Sequence, residues 1–130
     1  MAEHPNAALV RRLFTAKADP ADMAALLADD LVWHAAGRNR LSGDHTGKAA
    51  VFAMWGKMAA MMAEGASMDQ KIHAILADDD HAVALVETTG TYQGRTLSAQ
   101  QFVTLHFAGG KITEGWVSFH DPYAVDEFWG

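Results

Sequence analysis

The residues best placed to do chemistry lie in the run Asp29-Asp30-Leu31-Val32-Trp33-His34-Ala35-Ala36-Gly37, followed by Leu41-Ser42-Gly43 and Gly47. A short apolar segment that ends in Trp33-His34 and breaks at a glycine reads as a strand carrying an imidazole to its end. With an ordinary pKa near about 6.5, that imidazole can take or give a proton at neutral pH, which makes His34 a candidate general base. A base needs a group to orient its ring. No carboxylate orienter lies close to His34 in sequence, so Asp121 and Glu114 are the acids expected to approach it in space. The competing reading is a strand-end histidine that hydrogen-bonds ligand, water or backbone.

Other side chains could share such a site. His120-Asp121-Pro122 reads either as a polar cluster at a pocket rim or as a cap, with Asp121 accepting backbone N–H groups and Pro122 opening a helical turn. Trp33, Trp55 and Trp116 are able to stack on a flat ligand or simply to pack, and Trp116 is the expected ligand contact. Met54, Met58, Met61 and Met62 offer a soft wall that suits an irregular apolar guest. The chain has seven histidines. Of these, His34, His73, His106 and His120 fall on different elements and no pair has the one-turn spacing of a zinc helix, so no metal is expected. The stretch Gly37 to Gly47, with Arg38 and Arg40, lacks the terminal Lys-Ser or Lys-Thr of a nucleotide loop, and no cofactor is expected.

Composition narrows the class. With 130 residues, half of them apolar, one domain over residues 1–130 is expected. The absence of cysteine excludes disulfides, thiol catalysis and thiolate metal sites. A net charge of -6, with the basic residues scattered, argues against nucleic acid as a partner. No basic-then-apolar leader and no membrane-length apolar run is seen, so a cytoplasmic protein without membrane contact is expected.

The elements follow from periodicity. Asn6 to Ala18 reads as a helix with Leu9, Val10, Leu13 and Phe14 on one side. Asp19-Pro20 caps a second, short helix through Met23, Leu26 and Leu27. A strand covers Leu31 to Ala35, a loop Gly37 to Gly47, and the longest helix Lys48 to Glu64. Strands follow at Met68–Ala77, His81–Tyr92, Thr96–Phe107 and Ile112–Phe119, and the tail from Asp121 to Trp129 reads as a turn with one helical turn. Helices first and strands after imply an α+β fold: a strongly curved, mostly antiparallel sheet with helices against its concave side.

Order and spacing together resemble the SnoaL-like branch of the nuclear transport factor 2 superfamily, which also holds ketosteroid isomerases and limonene epoxide hydrolases. The matching features are Ala28-Asp29-Asp30 before the strand, Val32-Trp33-His34 with Gly37, Leu41-Ser42-Gly43 with Gly47 leading into a helix, Thr91-Tyr92-Gln93-Gly94-Arg95, and Gly110-Lys111-Ile112 followed by Asp121-Pro122. The resemblance implies a cone-shaped fold with a deep apolar pocket, paired into a homodimer through the outer sheet face. In the ketosteroid isomerase pattern, His34 stands at the position of the general base. The opening helix has no tyrosine, and Val103 stands where the acid of the oxyanion hole belongs, so steroid isomerisation is not expected. The Asp-Arg-Asp set of an epoxide hydrolase has no counterpart either.

Strand parity, counted from Ala108 opposite Lys111, assigns Gln101, Val103, Leu105, Trp116, Ser118 and His120 to the concave face, with Ala84, Val86 and Thr88 beside them. The outer face then takes Glu87, Gln100, Phe102, Thr104, His106, Val117 and Phe119. The functional expectation is a pocket for a small apolar or aromatic molecule lined by Trp33, Trp55, Gln101, Val103, Trp116, Ser118, His120 and Asp121, with His34 as acid-base residue. The alternative is a non-catalytic binding or accessory module.

Overall fold

The computed structural model describes residues 3–15 and 20–130. The elements run α1 (Pro5–Thr15), α2 (Pro20–Leu26), β1 (Leu27–Ala35), β2 (Gly43–Thr46), α3 (Lys48–Ala63), β3 (Ser67–Ala77), β4 (His81–Tyr92), β5 (Arg95–Ala108), β6 (Lys111–Phe119) and α4 (Pro122–Trp129). The expected end of the first helix at Ala18 and the Asp19 cap fall outside the described residues.

Periodicity explains most of these elements. In α1, Val10 and Leu13 are buried while Arg11 and Arg12 stay exposed. Helix α3 is apolar on more than one side: it buries Val51, Met54 and Met61 and keeps Phe52, Trp55 and Met58 half-buried. Strands β4 and β5 join through Gln93-Gly94, both at positive φ (51° and 77°), the backbone of a tight hairpin turn. Among the described residues, no helix is long and apolar enough to cross a membrane.

The sheet corrects one expectation. Its six strands lie in the order β2-β1-β6-β5-β4-β3, an open array with β2 and β3 at its edges. The sheet is therefore neither closed nor the strongly curved cone anticipated from the sequence. The longest of its pairings carries no bulge. Here β4 and β5 pair over their whole hairpin, from Tyr92 opposite Arg95 to His81 opposite His106, with no shift of register. The mixed character comes from one parallel pair, in which Trp33, His34 and Ala35 of β1 lie beside Gly115, Trp116 and Val117 of β6.

A single bulge decides which side chains face the helices. Phe107 pairs with Ile112, but His106 pairs with Glu114, so Thr113 is an extra residue in β6 and its hydroxyl bonds the His106 carbonyl at 3.3 Å. Strict alternation across the hairpin would set Val103 opposite Trp116. The bulge sets it opposite Val117 instead, and Gln101 opposite Phe119. Everything after Thr113 is thereby turned over relative to the simple count. Gly115, Val117 and Phe119 face the helices, whereas Trp116 and Ser118 join Thr104 and Phe102 on the outer face.

Helix α4 closes one end of the helix-covered side. Asp121 accepts a hydrogen bond from the Ala124 amide at 3.1 Å and Pro122 opens the helix, so the capping reading of Asp121-Pro122 describes this turn. Val125, Phe128 and Trp129 are buried beneath it. At its far end Arg95 Nε donates to the Phe128 carbonyl at 3.0 Å, a cation placed where the helix leaves its carbonyls unpaired.

Candidate functional site

Between the helices and the sheet lies a cavity of about 540 Å³. Its walls come from every helix and from the inward rows of the sheet: Phe14 of α1, Met23 of α2, Phe52 and Met58 of α3, Val117 and Phe119 of β6, and Trp129 of α4. Of the side chains singled out in the sequence, Trp33, Trp55, Gln101 and Val103 line this space. Trp33 and Trp55 meet edge to face, with ring centres 5.6 Å apart. Trp33 can lie flat over β6 only because its neighbour there is Gly115.

The cavity's polar groups form one small network. The hydroxyl of Thr88 donates to Gln101 Oε1 at 3.1 Å, and Gln70 Nε2 donates to the same oxygen at 3.0 Å. Thr88 and Gln101 are both buried, at 2% and 8% exposure. Asn39, in the loop before β2, holds the rim: its Oδ1 accepts from the Leu41 amide and its Nδ2 donates to Asp126 of α4, both at 2.9 Å. Among the described residues lining the cavity, none carries an ionisable side chain.

His34 is elsewhere. It alternates with Trp33 along β1 and so projects from the outer face, where none of its atoms lines the cavity. Its Nδ1 lies 2.7 Å from Asp44 Oδ1 and its Nε2 2.7 Å from Glu114 Oε2. Both ring nitrogens therefore donate, which only the imidazolium can do. The hydrogen bond to Asp44 and that to Glu114 raise its pKa above the ordinary 6.5. Glu114 was one of the two acids expected near His34; Asp44 comes from β2, which the sequence reads as loop. Trp116 stacks on His34 with ring centres 5.2 Å apart and planes 19° apart, and it meets His106 at 4.8 Å on its other side.

The remaining expected site residues also lie away from the cavity. Trp116 and Ser118 are on the outer face because of the Thr113 bulge. His120 is exposed after β6 and gives its backbone N–H to the Gln100 carbonyl, while Asp121 is spent on capping α4. The residues missed by sequence reading are chiefly Phe119, Val117 and Trp129. The extra residue at Thr113 turns the first two inward, and an α4 longer than one helical turn brings in Trp129. Among the described residues, no group of three or more His, Asp or Glu is arranged to hold a metal ion.

The charged state of His34 makes stability depend on pH in a definite direction. Because its folded-state pKa is raised, the stabilisation is complete below the unfolded value and is lost as pH rises through the folded value. Replacing His34 with glutamine is expected to lower the thermal midpoint most at about pH 5–6, with the difference shrinking as pH climbs past the raised pKa. An NMR titration of the His34 ring protons checks the premise. A midpoint at or below that of an ordinary histidine would refute it.

The fold has counterparts among known proteins. Residues 8–115 match the family model of the SnoaL-like domain, and the chain belongs to this family. An uncharacterised protein of Mycobacterium tuberculosis is 28% identical over 132 residues, covering 99% of each chain. Among solved structures, Bal32a from a soil-derived mobile gene cassette superposes with a TM-score of 0.89 at 29% identity over 97% of both chains. An NTF2-like protein from Burkholderia xenovorans has the same fold, with a TM-score of 0.84 at 21% identity over 100% of this chain and 99% of that one.

Proposed function

We propose that this SnoaL-like protein binds a small apolar or aromatic molecule in the cavity between helices and sheet, and that it does so without using His34 as an acid-base residue. The observation that carries the reading is the composition of the cavity wall: aromatic, methionine and aliphatic side chains, one amide-hydroxyl network, and no ionisable group among the described lining residues. A volume of about 540 Å³ suits a guest of two or three fused rings. General acid-base catalysis needs a titrating group within hydrogen-bond reach of the reacting atom, and His34 is held as a cation on the other side of the sheet.

Trp33, Trp55 and Trp129 line the cavity and report on its contents. Titration of the protein with uncharged bicyclic and tricyclic compounds is expected to quench tryptophan fluorescence and raise the thermal midpoint in a concentration-dependent way. Val103→Phe, which fills the cavity from β5, is expected to abolish the quench while the protein stays folded, and His34→Gln is expected to leave affinity unchanged. If no compound quenches, or Val103→Phe binds as the wild type does, the reading fails.

We also propose that the outer sheet face pairs with a second copy. What supports this is an apolar patch on that face, in which Leu76 pairs with Val83 and Leu85 with Phe102, Trp116 lies opposite Thr104, and Leu76 is 65% exposed. Sedimentation equilibrium is expected to give twice the chain mass, and Leu76→Glu with Phe102→Glu to give the monomer. A wild-type monomer at all concentrations would exclude the pairing.

A further inference from the structure

The cavity's buried polar network leaves one amide nitrogen without a partner, and that bears on what it can hold. Resting on the reading that the cavity is a small-molecule site, the geometry points to a neutral ligand that presents a hydrogen-bond acceptor, a ketone or ester carbonyl, to the amide nitrogen of Gln101. Gln101 Oε1 already accepts from Thr88 and from Gln70, at 3.1 and 3.0 Å. Two donors fill the two lone pairs of an amide oxygen, so this atom has no capacity left for a ligand hydroxyl or amine. The Thr88 proton is spent on the same bond.

What remains is the Gln101 Nε2 group, with two N–H donors and no protein acceptor. Among the described residues, no buried side-chain nitrogen or oxygen is both sealed from space and unpaired. Nε2 is therefore open to the cavity, since Gln101 as a whole is 8% exposed and lines it. Gln70, exposed on the edge strand β3, has its Nε2 committed to Gln101. Asn39 is committed at both ends, to Leu41 and to Asp126. The buried end of the cavity thus offers the free Gln101 Nε2 donor, with the Thr88 hydroxyl oxygen beside it as the weaker, acceptor side of the network.

Charge narrows the ligand further. No lysine, arginine or histidine lines the cavity among the described residues, so a carboxylate entering it would lose its hydration without gaining a counter-ion. No carboxylate lines it either, so an ammonium is disfavoured on the same ground. A ligand with a carbonyl gains a hydrogen bond that the matching hydrocarbon cannot make, and an acid with the same skeleton is excluded.

The test uses three compounds on one skeleton, 1-tetralone, tetralin and tetralin-1-carboxylate, titrated by tryptophan quenching into the wild-type protein and into Gln101→Leu and Gln101→Met. Wild type is expected to bind tetralone about three- to tenfold more tightly than tetralin, the range expected for one net hydrogen bond, and the carboxylate not measurably. In both variants the preference for tetralone is expected to vanish while tetralin still binds. If tetralin and tetralone both fail to bind wild type, the small-molecule reading itself falls. If tetralin binds but tetralone binds no more tightly, if the carboxylate binds best, or if a folded variant keeps the preference, the donor assignment alone is overturned.

Discussion

Phe128→Ala is expected to destabilise the protein by about 3–5 kcal/mol, the range for removing a fully buried aromatic ring. Phe128 is 1% exposed, and its ring sits against Tyr92 at 6.3 Å and Trp129 at 4.9 Å. It also reaches β4 where Gly90 leaves room: a methyl group at that glycine would stand 3.2 Å from the Phe128 ring. The ring is thus the bolt that fastens α4 to the sheet. Its loss frees Trp129, and with it one wall of the cavity. Urea denaturation measures the cost, and Tyr123→Ala on the same helix is the control, because Tyr123 is 83% exposed and its removal is expected to cost no more than about 0.5 kcal/mol. Equal costs for the two substitutions would show that α4 is held by something other than this contact.

That helix shows where sequence reading reaches and where it stops. Asp121-Pro122 signals a helix start through local chemistry, a side chain accepting an amide and a ring with preset φ, and both features are present. The length of α4 comes instead from Phe128 and Trp129 docking on Tyr92, contacts with a strand far earlier in the chain, which leave no local mark. The same division holds elsewhere. The long alternating strands β4 and β5 and the helix α3 are legible within a residue or two because their periods are local. Strand β2, Gly43–Thr46, is polar and exposed and exists through its pairing with β1, so it reads as loop. Leu27 begins β1 where a helical residue is expected, because it lies beside Ile112 in the parallel pair. Of the cavity, Gln101, Val103, Trp33 and Trp55 were legible from strand and helix faces. His34 reads as a site residue from its place at a strand end and from the resemblance, neither of which weighs its alternation with Trp33, and Trp116 reads so from a parity count blind to the extra residue at Thr113. The strong curvature is expected from the order of elements and the cone from the resemblance, and the open six-strand array with its unshifted β4–β5 ladder is neither.

One local signal for the site was available in Gly115, since a glycine inside a strand marks a bulge or a close approach. Gly115→Ala is expected to cost about 1–3 kcal/mol, the range for overpacking a filled interior. An added methyl group there would stand 2.6 Å from two carbons of the Trp33 ring and 3.0 Å from Leu105. Leu105 is fully buried and has no room to retreat, and Trp33 is 4% exposed. The indole must therefore move, and the space open to it is the cavity, on the side where it meets Trp55. The substitution is expected to lower stability and, by pushing Trp33 into the cavity, to weaken binding of any bicyclic guest and shift the tryptophan emission. Gly56→Ala is the matched comparison. Gly56 lies in α3 with nothing within 4 Å of an added methyl group, and a helical glycine replaced by alanine is expected to gain about 0.5–1 kcal/mol. If Gly115→Ala proves as benign as Gly56→Ala, Trp33 does not rest on β6 in the way described, and the cavity wall on that side must be drawn differently.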